Sequence, residues 1–383
     1  MANELTQEIL DYLSASVEDA TALLKELCAI PAPSHFEDER AAYVKKWFDS
    51  IGAKGAYIDE AKNVIFPLNC EGRSDIIVFE AHTDTVFPAE TPLVWREDEK
   101  NYYCPGIGDD TVNLVNMLMT VRYIVQKGLT PTRGVLFVAN SCEEGLGNLK
   151  GTRQIFKDYE GRIERFVTFD GGYRSVVARA VGSHRYKIDV KTQGGHSWNN
   201  FGRTNAIVEL SRLITSLCDV TLPQVGSSKT TYNVGTIDGG TSVNTVAQNA
   251  SCLYEYRSDN AECLAIMEKT FREKLEAFRA ATDAEITVET VGLRPCGEAK
   301  DKALHQEMID RALEVSRQHS GLKCGVTAGS TDCNIPLSLG IPAICPGLYL
   351  GGGAHTREEW CEIASIPVGM KVAASLILDY FAL

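Results

Sequence analysis

Two residues at the end of an apolar run open the chemical reading. In FEAHTDTVFP, Phe79 to Pro88, the run IIVF (Ile76 to Phe79) gives way to His82 and Asp84. A short apolar run rich in β-branched residues reads as a buried strand. Ligands in open α/β sheets bind beyond the carboxyl ends of the strands. An imidazole there can hold a transition metal, and a carboxylate two residues on can take the other ring nitrogen and fix the tautomer. Alone, the pair is equally compatible with a strand-end His and Asp that bond only each other, so the rest of the chain has to supply further ligands.

Four other stretches offer them. PGIGDDTVNLVNMLMTVRYIV (Pro105 to Val125) delivers Asp109 and Asp110 through a glycine turn to the expected start of a long apolar helix. By themselves, two acids there could be an N-cap and a dipole complement. A dinucleotide loop is excluded, because no third glycine follows at the required spacing and two acids would repel a pyrophosphate. Gly134 to Asn140 reads as a buried strand with Glu143 and Glu144 just past its end, and RFVTFDGG closes another apolar strand on Asp170. GIPAICPGLYLGGGAHTREEW sets His355 after a strand-like run and a triple glycine. Cys142 is expected to be packing rather than a nucleophile, since flanking carboxylates raise a thiol pKa and no histidine is near it in sequence.

Two imidazoles and several carboxylates at one sheet edge suit zinc, manganese or cobalt in an O/N site. Cysteine is absent from the set, which argues against a structural zinc knot. The donors exceed the needs of one tetrahedral ion and suit two ions about 3.5–4 Å apart that share a bridging carboxylate. One carboxylate is left over, and a free glutamate beside an activated water is what general-base hydrolysis requires.

The elements that would position these groups follow from the rest of the pattern. Apolar positions Leu5, Ile9, Leu10, Leu13, Leu23, Leu24 and Leu27 predict N-terminal helix over residues 4–29, and IPAPS (Ile30 to Ser34) breaks it. Ala41, Val44, Trp47 and Phe48 predict a second amphipathic helix from Glu37 to about Ile51. An amphipathic helix is expected from Ile366 to Phe381. Residues 182–293 differ in character: strand, helix, strand, strand, helix, strand, which is the ferredoxin-like order. The expected fold is therefore α/β, a mixed and mainly parallel sheet flanked by helices, with an inserted ferredoxin-like α+β domain. The expected domains are 1–181 and 294–383 for the catalytic part and 182–293 for the insert.

Composition narrows the function classes. The 383 residues are 44% hydrophobic, enough for about two domains with a substantial core. No run of eighteen apolar residues is present, so no membrane span is expected. The net charge of −13 argues against a nucleic-acid partner. Twelve scattered cysteines without a C-x-x-C pair fit reduced thiols. The opening MANELTQEILDYL lacks signal-peptide order, so a cytoplasmic location is expected.

As a set, AHTDTV, GIGDD, CEEG, FDGG, GGHS and GGGAHT resemble, in order and over essentially the whole chain, the co-catalytic zinc exopeptidases and deacylases that include carboxypeptidase G, peptidase T, acetylornithine deacetylase and succinyl-diaminopimelate desuccinylase. The resemblance implies that His82 and Asp170 hold one metal, Glu144 and His355 the other, and that Asp109 bridges them. It implies Glu143 as general base and Asp84 as the residue that orients His82. It implies that the inserted domain is a lid, that the chain forms a homodimer through it, and that His196 in TQGGHSWNN stabilises the oxyanion in the partner's site. Asn244 in GGTSVNTVAQ and Arg257 in YEYRSD match positions that bind a substrate carboxylate, a task suited to the guanidinium fork. Two departures stand out. Asp110-Thr111 replaces the common Lys or Met-Lys after the bridging Asp, and GSTDCN replaces the commoner Gly-Thr-Ser-Asp-Ala. The expected reaction is hydrolysis of an amide bond in a di- or tripeptide with two zinc (or cobalt or manganese) ions. The alternatives are an N-acyl amino acid deacylase on the same scaffold and a ligand-binding protein without chemistry.

Overall fold

The fold follows from where the longest apolar runs can be buried. The computed structural model describes residues 4–382, so the first three residues of the N-terminal stretch, and Leu383, lie outside it. The chain divides into two compact units, Met1–Ala180 with Glu298–Leu383, and Val181–Gly297.

The first unit is built on an eight-stranded sheet. Its order is Tyr57–Ile58, Val64–Leu68, Val135–Asn140, Ile76–His82, Ile163–Thr168, Ala343–Pro346, Ser175–Ala180, Gly325–Gly329. Ile76–His82 runs parallel to both its neighbours. Ile163–Thr168 is parallel to Ala343–Pro346, whereas Val64–Leu68 and Ser175–Ala180 join their inner neighbours antiparallel. The sheet is mixed, mainly parallel and flanked by helices, as expected. Every residue of Ile76–His82 and of Val135–Asn140 is buried, which is the condition of parallel strands covered on both faces.

Register decides where the strand ends fall. Phe66, Phe137, Phe79 and Phe169 stack in a row across the sheet with ring centroids 6.0–6.4 Å apart. The row locks Phe79 opposite Phe137, and with it His82 opposite Asn140 and Glu80 opposite Thr168. A slip of one residue would turn every one of these side chains to the other face. The segments after Asn140 and Thr168, which carry Glu143, Glu144 and Asp170, therefore leave the sheet at the edge where His82 stands.

Three details differ from the sequence expectations. The N-terminal region is two helices, Gln7–Ala15 and Val17–Cys28. Asp109 and Asp110 do not open a helix: their backbones are extended (φ −110°, ψ 91°) and near-bridge (φ −126°, ψ 15°), and the helix begins at Val112. The last helix, Ile366–Leu378, is buried nearly all round rather than amphipathic, because it runs between helices Val112–Lys127 and Lys302–Ser320. Among the described residues no helix is long and apolar enough to cross a membrane, and all twelve cysteines are free.

The second unit has strand Gly182–Lys191, helix Ala206–Cys218, strands Thr230–Gly239 and Asn249–Ser258, helix Ala261–Ala281 and strand Glu285–Arg294. The antiparallel order is Thr230–Gly239, Asn249–Ser258, Gly182–Lys191, Glu285–Arg294, which is the ferredoxin-like arrangement. Both helices are started by asparagine caps: Asn205 accepts from the Ile207 and Val208 amides, and Asn260 from that of Cys263. The sheet meets the second helix through Tyr186 and Tyr254, which stack on Phe271 with centroids 4.4 and 5.8 Å away.

At that interface Glu268 receives Tyr186 Oη at 2.6 Å, lies 2.9 Å from His184 Nδ1, and accepts from Tyr256 and Arg272. Burial opposes its charge, but these partners outweigh burial and bring its pKa from 4.5 down to about 2. A depressed carboxylate contributes stability that is present above about pH 4.5 and lost as pH falls through about 2. Glu268→Gln should therefore cost about 1.5–3 kcal/mol at neutral pH and flatten the acid limb of stability between those two values. Urea midpoints measured against pH in the two proteins check this.

Candidate metal centre

His82 ends its strand with both ring nitrogens engaged. Nδ1 lies 3.0 Å from the Asp84 carbonyl oxygen and 3.5 Å from Asp84 Oδ1, while Nε2 faces Asp109 Oδ1 at 2.9 Å. Its backbone N–H donates to Asp110 Oδ2 at 3.0 Å. Burial disfavours the imidazolium, but Asp110, Asp109 and Asp84 together hold its pKa well above the ordinary histidine value.

Asp84 does more than face a histidine. Ser34 Oγ donates to Oδ2 at 2.6 Å, the Glu143 amide to Oδ1 at 2.9 Å and the Glu144 amide to Oδ2 at 3.0 Å. The carboxylate is fully buried, yet its pKa stays below the usual range: burial raises it, and His82, Ser34 and the Glu144 amide pull it down further. One side chain thus fixes the imidazole and the backbone that presents the two glutamates.

The remaining donors close around this pair. His355, at φ +64°, brings Nε2 to 3.1 Å from both Asp109 Oδ2 and Glu144 Oε1. Its partners Asp109 and Glu144 raise its pKa to about 10. Glu144 is raised to about 7, first by burial and then by Asp109 and Glu143, against the pull of His355. Asp170 is pushed well up by burial and by Asp109. Asp109 is the exception: burial raises it, but His355 and His82 outweigh burial and hold it low.

Buried carboxylates survive when they are paired or coordinate metals, and the donor set fits divalent cations. His82, Asp109 and Asp170 form one group of potential ligand atoms within 4.8 Å of one another, and Asp109, Glu144 and His355 form another. Asp109 belongs to both. A third grouping at the same limit joins His82 with Glu143 and Glu144. Asp84 stands outside all three groups.

Several residues of this centre lie outside the sequence expectations. Ser34, within a stretch read only as a helix break, holds Asp84. Asp110 anchors the His82 backbone and accepts from Asn113 Nδ2 at 2.6 Å. Glu359 is buried and accepts the backbone amides of Gly106, Gly108 and Asp109. At Cys142 the fold supplies a histidine that sequence proximity does not, since His35 Nδ1 lies 3.4 Å from Sγ. The thiol nevertheless donates to Glu37 at 3.1 Å, and burial with Glu37 pushes its pKa up to about 12.

The other candidate residues sit in the second unit. Gly195–His196 pairs with Thr245–Val246, and Ser197 N donates to the Asn244 carbonyl at 2.9 Å, so His196 and Asn244 are neighbours. His196 Nδ1 accepts from the Trp198 amide at 3.2 Å, which places the proton of the neutral ring on the exposed Nε2. Arg257 lies near the C-terminal end of Asn249–Ser258, and its fork is already engaged by Glu255, at 2.9 and 3.1 Å. Arg185 shares that carboxylate at 3.3 Å.

Over 361 residues, 91% of this chain and 93% of the relative, the sequence is 23% identical to succinyl-diaminopimelate desuccinylase of Corynebacterium glutamicum. The fold matches a crystal structure of a tripeptidase from Staphylococcus aureus with a TM-score of 0.75 at 22% identity, covering 94% of this chain and 97% of that one. It also matches a dinuclear metal-binding peptidase of the M20 family from Bacillus subtilis, with a TM-score of 0.62 at 15% identity over 95% and 98% of the two chains. The family model described as peptidase family M20/M25/M40 matches residues 78–379, and the chain belongs to that family.

Proposed function

We propose that this hydrolase-family chain is a two-cation exopeptidase that cleaves an amide bond in di- or tripeptides. The observation that carries the reading is the pair of three-residue donor groups that share Asp109, with Glu143 beside them and outside both. His82 and Asp170 would hold one cation, Glu144 and His355 the other, and Asp109 would bridge them. Zinc suits the O/N donors, as do cobalt and manganese. When bound, such a pair supplies Lewis acidity, polarising a carbonyl and lowering the pKa of water toward about 7.

The protein's own groups do the rest. Asp84 holds the His82 ring so that Nε2 points at the cation site. Glu143 takes the proton of the attacking water and returns it to the leaving amine. His196 donates its exposed Nε2–H to the developing oxyanion, from the second subunit of a homodimer formed through the Val181–Gly297 unit acting as lid. Asn244 and Arg257 receive the substrate carboxylate. For Arg257 this requires sharing or exchange with Glu255, a charge that Arg185 also neutralises.

A second reading, an N-acyl amino acid deacylase, is favoured by the desuccinylase similarity over nine-tenths of the chain. A panel of di- and tripeptides set against succinyl and acetyl amino acids, assayed with and without a chelator, separates the two. Turnover of neither class in the presence of added zinc, cobalt or manganese would leave a binding protein on the same fold.

Three substitutions test the assignment. Glu143→Ala should lower kcat by about 10²–10⁴-fold with both cations retained by metal analysis; unchanged kcat would remove it as base. His196→Ala should lower kcat by about 10²–10³-fold, again at unchanged metal content. Asp84→Ala should instead weaken cation binding by about 10–100-fold, read by competition with a chromophoric chelator.

A further inference from the structure

We propose that Glu359 is a positioning residue for the cation site: its carboxylate sets the backbone of the turn that carries Asp109 and joins that turn to the loop that carries His355. The inference rests on the two-cation reading and extends it to a residue outside every donor group.

The carboxylate of Glu359 is fully buried, and its bonds are to peptide amides. Oε2 accepts from Gly106 N at 2.7 Å, and Oε1 accepts from Gly108 N at 2.8 Å and Asp109 N at 2.7 Å. Successive amides converging on one anion form a backbone nest. Here the anion belongs to the protein and the nest is the turn to be held.

That turn needs holding. Asp109 and Asp110 have non-helical backbones, so the helix starting at Val112 does not set their direction. The turn is also confined from two other sides. A Cβ on Gly106, which has φ +75°, would meet Thr85 Cγ2 at 2.6 Å, and a Cβ on Gly108 would clash with the Tyr349 hydroxyl. Thr85 follows Asp84 directly, so the turn is seated against the segment that orients His82.

The backbone of Glu359 reaches the other way. Its carbonyl accepts Cys104 N at 3.2 Å, just before the turn, and its amide donates to Thr356 O at 3.3 Å. Thr356 Oγ1 in turn donates to Gly353 O at 2.6 Å, closing the loop around His355. His355 and Asp109 must meet at 3.1 Å from segments far apart in sequence. Glu359 stands four residues from the first and bonds the backbone of the second. A glutamine there would offer an amide NH₂ to donors that need an acceptor, so at least one amide would lose its partner.

The test is cation binding by the full-length chain, read by competition with a chromophoric chelator, so that turnover is not the measure. Glu359→Gln should bind Co²⁺ about 10–100-fold more weakly than wild type, and raised Co²⁺ should restore turnover. In metal-stripped wild type, the amides of Gly106, Gly108 and Asp109 should exchange with solvent slowly, a measurement that does not depend on the variant folding. A glutamine variant with wild-type Co²⁺ affinity, or rapid exchange at those three amides, overturns the role of Glu359. A wild-type chain that takes up no divalent cation overturns instead the reading beneath it.

Discussion

The buried carboxylate of Asp84 is the constraint on which the sheet edge depends. It meets both the His82 ring and the peptide amides of Glu143 and Glu144. Those contacts turn a set of strand ends into a fixed geometry. The parallel register brings the segments to one edge, but register alone fixes backbone height, not the direction of a side chain three residues past Asn140. Asp84 supplies the direction. A carboxylate can do this because it accepts several donors at once and has none of its own to satisfy. Its depressed pKa is the electrostatic record of the same contacts.

The acids around it divide into two kinds. Asp84 and Asp109 are held below the ordinary carboxylate range by histidines and hydrogen bonds, whereas Glu144 and Asp170 are pushed above it by burial and by the nearby charges of Asp109 and Glu143. A site that buries both kinds is poised for added positive charge. Divalent cations would relieve the repulsion that Asp109 and Glu143 exert on the raised acids. The local density of carboxylates therefore supports the two-cation reading independently of any likeness in sequence. Asp110 sharpens the point. Also buried and raised, it faces the His82 amide and Asn113, and so belongs to the scaffold although it adjoins Asp109.

Sequence exposed the residues that end strands. His82, Asp170 and the Glu143-Glu144 pair each follow an apolar run, and Asp109 and His355 each follow glycines, so a common sheet edge could be inferred from periodicity and punctuation. The ferredoxin-like order of residues 182–293 was legible for the same reason. Residues that hold the site through hydrogen bonds between distant segments were not. Ser34, which donates to Asp84, and Glu359, which accepts the Asp109 amide, lie 50 and 250 residues from those partners, and such contacts have no characteristic spacing. The all-round burial of Ile366–Leu378 is hidden for a related reason: the helices packed against it, Val112–Lys127 and Lys302–Ser320, come from other parts of the chain. A glycine turn before an apolar helix ordinarily caps it, so the sequence puts Asp109 and Asp110 at a helix start, whereas in the fold the amides of that turn are taken by Glu359.

The separate roles proposed for the two units follow from what each can hold rigidly. A parallel sheet edge can hold histidines and acids 2.9–3.1 Å apart, because the central strands beneath them, Ile76–His82 and Val135–Asn140, are buried throughout. A two-stranded ribbon such as Gly195–His196 with Thr245–Val246 cannot bury charge, but it can present one donor from an exposed residue. His196 is built that way, with Nδ1 occupied by the Trp198 amide and Nε2 left exposed as donor. A donor that must reach a charge appearing only during reaction belongs on the more exposed element. Groups that must be in place before the substrate arrives belong on the sheet, and this separation is what makes the proposed role of His196 compatible with the fixed geometry around Asp109.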